Sequence, residues 1–283
     1  MATAALCLSG QVRSFGTTRH NISSMILNAN PNIQFDILLA SAEDAREDVL
    51  CRQPNARSCH WVVVPRDLPL LDEAAAGAAA AASRAAVRRA NASQGHLGRG
   101  YTLVQAMNKQ QLCWAELQRR SRYNFYIGTR FDLELTAPLV LAALDLREHL
   151  YVAPHANHAT GPSAHRPTNL RASVPDFLVV ADEARFTVWM TRGPAFEQLF
   201  LAPPRPLRGS EGVPERFPMI HAPEAFLARW LYLHGIAHNQ TGNNVSVLPG
   251  GVTVLLVRDA SWPRADCQAA SRRWLAVCLG SST

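Results

Sequence analysis

Residues 121–135 read SRYNFYIGTRFDLEL, and the fold is decided by how this stretch is read. Tyr123, Phe125 and Ile127 alternate with smaller or polar residues and then run into Arg130 and Asp132. That pattern describes a buried strand ending at a polar crevice. In open α/β sheets ligands bind beyond the carboxyl ends of the strands, so charged residues placed there are candidates to touch substrate or metal. Asp132 is the first candidate for chemistry. The competing explanation is a structural ion pair, because Arg130 and Asp132 stand at i and i+2 on one strand face.

Toward the N-terminus the pattern of a parallel sheet repeats. Residues 4–9 (AALCLS) form an apolar run stopped by Gly10, as a central parallel strand requires. The polar turn GQVRSFG (10–16) follows, and then residues 18–28 carry Ile22, Met25 and Ile26 at helical spacing. A first turn of this kind commonly holds a phosphate on backbone N–H groups, and Arg13 can add a charge-assisted contact. The turn is not Gly-x-Gly-x-x-Gly, and a surface salt bridge is the plainer role for Arg13. Residues 35–40 read as a second strand, 41–50 as a helix opened by Ser41 and acids, and 61–64 as a third strand. Successive βα units imply a parallel, right-handed sheet.

Residues 71–92 are dominated by alanine and read, with the glycines of 95–100, as an insertion or mobile flank spanning about 71–100. The next segment, 101–122, places Leu103, Met107, Leu112, Trp114 and Leu117 on one face of a long amphipathic helix. Gln105, Asn108 and Gln111 fall on its other side and read as solvated.

Beyond the central strand the expected order is a short helix at 138–146, a strand at 150–153, and a loop bearing His155, His158 and His165. No carboxylate accompanies these histidines, so a flexible loop is the better reading than a metal site. Asp176 stands just before an apolar strand, and a helix follows over 182–201. Residues 222–234 form a second clear helix with Pro223 and Glu224 in its first turn, where proline is tolerated and an acid favoured by the dipole. Residues 245–257 read as β-rich. The chain is thus an α/β protein, a single domain over 1–283 with a mostly parallel sheet flanked by helices.

Among 283 residues, 48% are hydrophobic, enough for a substantial core. There are 28 Lys plus Arg against 22 Asp plus Glu, and Lys109 is the only lysine. Arginine forks suit phosphate and carboxylate, so an acidic ligand such as a nucleoside diphosphate is expected. The arginines are scattered rather than striped among aromatics, which argues against nucleic acid. Six cysteines lack zinc spacing. Cys7 and Cys113 read as buried thiols, while Cys51 with Cys59, and Cys267 with Cys278, can each close a short loop in an oxidising compartment. Acceptor sequences for glycosylation occur at Asn21, Asn91, Asn239 and Asn244. No leader and no membrane-spanning run precede the first strand, so the expectation is a cytosolic protein, or a secretory-pathway protein whose anchor lies upstream.

Four stretches carry a resemblance: LCLSGQVR (6–13), YNFYIGTRFD (123–132), PDFLVVA (175–181) and the Pro223–Glu224 pair. In this order they resemble blocks of a family found in plants, algae and large viruses that is similar to GT-A glycosyltransferases. The resemblance implies a nucleotide over the first strands, a divalent cation (Mn²⁺ or Mg²⁺) near the acidic motif of the central strand, and an acceptor site from the later half. Carried over by position, Gly10, Gln11, Arg13 and Arg130 would bind the nucleotide-sugar, Asp132 the metal, and Asp176 or Glu224 would serve as base toward a glycan or other hydroxyl acceptor. Arg130 stands where the Asp-x-Asp motif has its first acid, which leaves the metal to Asp132. Phe177 replaces the polar residue expected after Asp176, and Gly128 sits where relatives carry a basic one. Two alternatives remain: a non-catalytic member that binds a nucleotide or glycan, and a nucleotide-dependent oxidoreductase, against which the missing glycine fingerprint counts.

Overall fold

The computed structural model describes residues 1–10, 12, 14–41, 49–64, 95–155, 174–196, 223–236 and 244–257. Its strands, in chain order, are β1 (Ala2–Ser9), β2 (Ile33–Ser41), β3 (Ala56–Val63), β4 (Phe125–Arg130), β5 (Leu133–Leu135), β6 (His149–Val152), β7 (Val179–Ala181), β8 (Asn244–Val247) and β9 (Val254–Leu256). Its longer helices are α1 (Phe15–Ile22), which runs on as the π-helical turn Ser23–Asn28, α2 (Gly95–Gln118), α3 (Glu183–Met190) and α4 (Pro223–Leu233).

Seven strands form one sheet in the order β3-β2-β1-β4-β7-β6-β8. β1 lies parallel to both β2 and β4, which is why Ala4 to Leu8 are buried to 1% exposure or less: both edges are paired and both faces covered. β7 runs antiparallel to β4, β6 antiparallel to β7, and β8 parallel to β6, so the sheet is mixed but mostly parallel. Alternation along the strands splits the core into two layers. Leu6, Leu8, Ile37, Leu39, Ile127 and Phe131 pack toward α1. Leu38, Tyr126 and Val179 pack toward Trp114 of α2, Phe186 and Trp189 of α3 and Leu227 of α4. Burying each large apolar side chain of these layers contributes on the order of 2 kcal/mol.

Side-chain amides fix the first layer. Asn30 donates to the carbonyls of Ile26 and Leu139, each at 2.7 Å, and accepts from Leu141 N at 2.9 Å. Asn21 bonds the backbone of Leu135 in both directions, so this glycosylation acceptor spends its amide on β5. Asn91 and Asn239 lie outside the described residues.

Several expectations change. β3 begins at Ala56, five residues before the expected strand, because β2 offers a full parallel partner from Phe35 to Ser41. Ser41 closes β2 instead of opening a helix, and only a 3₁₀ turn, Val49–Arg52, follows in the described part. The expected helix over 138–146 is a single 3₁₀ turn, Leu141–Ala143. Residues 95–100 belong to α2 rather than to a glycine break, and the remainder of the expected insertion lies largely outside the described residues.

α2 also differs in its polar side. Asn108, Lys109 and Gln110 are buried, between 3% and 8% exposed, because α3 packs over the side that the periodicity left to solvent. Cys7 and Cys113 are not free thiols: they form a disulfide that joins β1 to α2 across 106 residues. Cys51 and Cys59 are disulfide-bonded as the short loop suggested. Among the described residues no helix is long and apolar enough to cross a membrane.

Candidate functional site

The connections leave β1 in opposite directions: β1 leads through α1 to β2 on one side, while the chain later returns through α2 to β4 on the other. The crevice beyond the carboxyl ends of β1 and β4 is therefore the topological switch point, where open α/β sheets bind ligands. Ser9 and Arg130 are register partners at this edge. Gly10 follows with φ at +125°, a backbone conformation that side-chain-bearing residues rarely adopt, so the chain needs glycine to turn away here.

Topology brings the other pieces to the same edge. β7 runs against β4, so the residues that precede it, Asp176 and Phe177, start at the carboxyl end of β4. α3 sets out from the opposite edge, where Glu183 lies 3.6 Å from Arg122 ahead of β4, and runs back toward the edge where β4 ends, with the buried Arg192 just beyond its last turn. Val174 N donates to Glu224 O at 2.9 Å, which fixes the first turn of α4 beside the Asp176 segment. Trp230 Nε1 donates to Val188 O at 2.8 Å and holds α4 on α3.

Arg130 and Asp132 form a two-pronged ion pair, with Nε to Oδ1 at 2.8 Å and Nη2 to Oδ2 at 2.7 Å. Their side chains remain 34% and 21% exposed, so the pair reaches solvent and is not sealed in the core. Val257 N donates to Asp132 O at 2.8 Å, and the antiparallel β5–β9 pair braces the turn. The Arg130 guanidinium lies 5.8 Å from the Phe177 ring centroid, a cation–π distance. Burial works against the charge on Arg130, but Asp132 and then Asp176 outweigh it and hold its pKa above the ordinary value.

Asp176 is the hub of this charge. Its field acts on Arg130, on Arg192 and on Glu224. Burial pushes the Glu224 carboxyl up, and the negative charge of Asp176 pushes it further. Burial lowers Arg192 to about 10, with Asp176 opposing the shift. A carboxyl raised by burial and a neighbouring negative charge is the kind of group that acid–base chemistry uses.

The structure therefore brings together Gly10, Arg130, Asp132, Asp176 and Glu224. Gln11 and Arg13 lie outside the described residues, as do His158 and His165. His155 is fixed, not looped: it makes a bridge to Val254 and its ring lies 5.6 Å from that of Phe177. Sequence reasoning missed Arg192 and Gln110. A signal existed for the latter in the unbroken polar run 108–111, too long for the exposed stripe of an amphipathic helix.

As arranged, these groups do not form a ready cation site. Both oxygens of Asp132 are spent on Arg130, and among the described residues no three His, Cys, Asp or Glu side chains are grouped to hold a metal.

The chain matches no family model, and no curated protein matches it at a significant level.

Proposed function

We propose that this chain is a glycosyltransferase on a GT-A-like fold, moving a sugar from a nucleotide-sugar donor to an acceptor hydroxyl. One observation carries the reading. The stretches that resemble the GT-A-like blocks are separated by up to about two hundred residues, yet Gly10 of the first and the described charged members of the other three, Arg130, Asp132, Asp176 and Glu224, belong to elements that meet at the carboxyl-end edge of β1 and β4, which supports the reading.

In this reading the acceptor oxygen attacks the anomeric carbon and gives its proton to Glu224, a carboxyl that burial and the charge of Asp176 make more basic than an ordinary one. The bond from that carbon to the diphosphate oxygen breaks, and the diphosphate leaves with the electron pair. Arg130 reaches solvent and supplies charge-assisted hydrogen bonds to the leaving group. Asp132, with Asp176 behind it, favours the charged form of Arg130, while burial and then Asp176 raise the Glu224 carboxyl. Gly10, with Gln11 and Arg13 of the same turn, would cradle the nucleotide.

A non-catalytic nucleotide or glycan binder is the second reading, favoured by the engagement of Asp132 with Arg130. A thermal-shift screen with UDP, GDP, CMP-sugars and NAD, with and without Mn²⁺, separates the possibilities. Stabilisation by one nucleoside diphosphate, together with turnover of its sugar conjugate, supports the transferase. Stabilisation without turnover supports the binder, and a response to NAD alone contradicts both.

A further inference from the structure

Arg192 is 1% exposed, among the largest fully buried side chains of the protein. Its hydrogen bonds go to uncharged oxygens: Nη1 to the carbonyl of Trp189, and Nη2 to Gln110 Oε1 at 2.7 Å. The guanidinium carbon lies 4.7 Å from the Trp189 ring. Nε is buried without a hydrogen-bond partner, and among the described residues no carboxylate stands within ion-pair distance. A buried guanidinium without a paired charge costs several kcal/mol, so a sequence keeps one only against some compensation.

The surroundings are built to hold it. Gln110 is itself 8% exposed on α2. Gly193, next in the chain, lets the end of α3 meet α2 closely: a Cβ there would stand 2.6 Å from Asn108 Oδ1. β7 runs away from the crevice and α3 runs back, so the start of one, with Asp176, and the end of the other, with Arg192, share the site's edge. Arg192 is shut off from solvent and cannot itself touch a ligand in the crevice.

We propose that Arg192, held by Gln110, is a positioning residue of this site: it acts through Asp176, whose carboxylate provides the counter-charge that no other described residue gives the buried guanidinium. The catalytic part rests on the transferase reading above; the coupling of the two residues does not. The electrostatic influence of Asp176 on Arg192 agrees with this arrangement.

A double-mutant cycle tests the coupling. Asp176→Asn and Arg192→Met should each lower the urea midpoint of unfolding, since each strands one charge, and the double variant should be more stable than the less stable single one. Losses that simply add overturn the proposal. If Arg192→Met does not fold, Arg192→Lys decides: Asp176→Asn should then lower the midpoint as much in the Lys background as in the wild type, and the absence of any such loss overturns it.

For the role in the reaction, the readout is a split between constants. Arg192→Met should lower kcat by about tenfold or more, as small misplacement of a reacting group does, while KM for the nucleotide-sugar is kept, and Arg192→Lys should restore most of kcat. A raised KM with intact kcat contradicts positioning. If the wild type turns over no nucleotide-sugar, the transferase reading fails while the stability cycle still decides the coupling.

Discussion

Near the edge where β4 begins, Asp36 accepts hydrogen bonds from Arg57 Nε at 2.9 Å, Ser58 Oγ at 2.6 Å and Tyr123 OH at 2.7 Å, with a further bond from Arg57 Nη2. At the edge where β4 ends, the charge of Asp176 acts on Arg130, Arg192 and Glu224, and among the described residues Arg130 with Asp132 is the one oppositely charged pair of this group closed by hydrogen bonds. Burial alone would raise the Asp36 carboxyl, but its donors outweigh burial and bring it down to about 2. At the other edge, burial pushes Glu224 up and Arg192 down. Satisfied charge is a lock that stabilises; incompletely satisfied charge in a crevice costs stability and is kept where chemistry needs it. The same sheet thus separates the two kinds of charge by about one strand length.

The contrast can be attacked in several ways. The largest effect should come from what joins both edges. Replacing Cys7 and Cys113 with alanine frees a loop with a sequence separation of 106 and loosens α2, which carries Gln110, from β1. Chain entropy predicts a loss of up to roughly 4–5 kcal/mol in urea unfolding, against about 2 for the Cys51–Cys59 loop. Equal losses for the two bridges would break this ranking.

Next comes the lock itself. Asp36→Asn should cost about 2–3 kcal/mol, because it removes the charge opposite Arg57 and replaces one of two accepting oxygens with an NH2 that faces other donors, and ligand binding at the far edge should be unchanged. An effect on binding as large as on stability would merge the two edges into one unit.

The acid limb follows from the same residue. The folded carboxyl titrates at about 2 against an ordinary 3.8, so its stabilisation is fully present above 3.8 and is lost as pH falls from there toward 2. The span corresponds to roughly 2 kcal/mol for a side chain only 6% exposed. Asp36→Asn should erase that part of the slope in acid unfolding.

Glu224→Gln should have the smallest effect on stability and the opposite sign. A carboxyl raised above its ordinary value loses stability as pH rises through the folded pKa, so removing the charge should leave stability at neutral pH unchanged or slightly higher. Transfer to an acceptor should fall by about a hundredfold, the lower range of general-base effects. A marked destabilisation would instead make Glu224 a dipole partner of α4 only.

Much of the sheet was legible because its strands are buried on both faces and read as unbroken apolar runs: residues 4–9, 35–40 and 177–181 each contain one. The ends of α4 were legible from Pro223 and the apolar face behind it. What escaped lies in contacts made across the chain. The polar run 108–111 is too long for one exposed stripe, but nothing local tells that it is α3 which covers Asn108 and Gln110, that the thiol of Cys113 meets Cys7, or that Arg192 closes on Gln110. The site was readable in its pieces, since Asp132, Asp176 and Glu224 each stand at the end or start of an element. The pairing of Arg130 with Asp132 was readable only as one of two outcomes, because strand spacing permits a pair without requiring it.

The central claim is that the crevice beyond β1 and β4 binds a nucleoside diphosphate through Arg130. Isothermal titration of UDP and GDP into the wild type, Arg130→Met and Asp36→Asn tests it most directly. The account predicts that one of the two binds the wild type and Asp36→Asn alike and binds Arg130→Met about tenfold or more weakly, the loss of one charge-assisted contact. Equal affinity for Arg130→Met, or no binding of either nucleotide to the wild type, would contradict it.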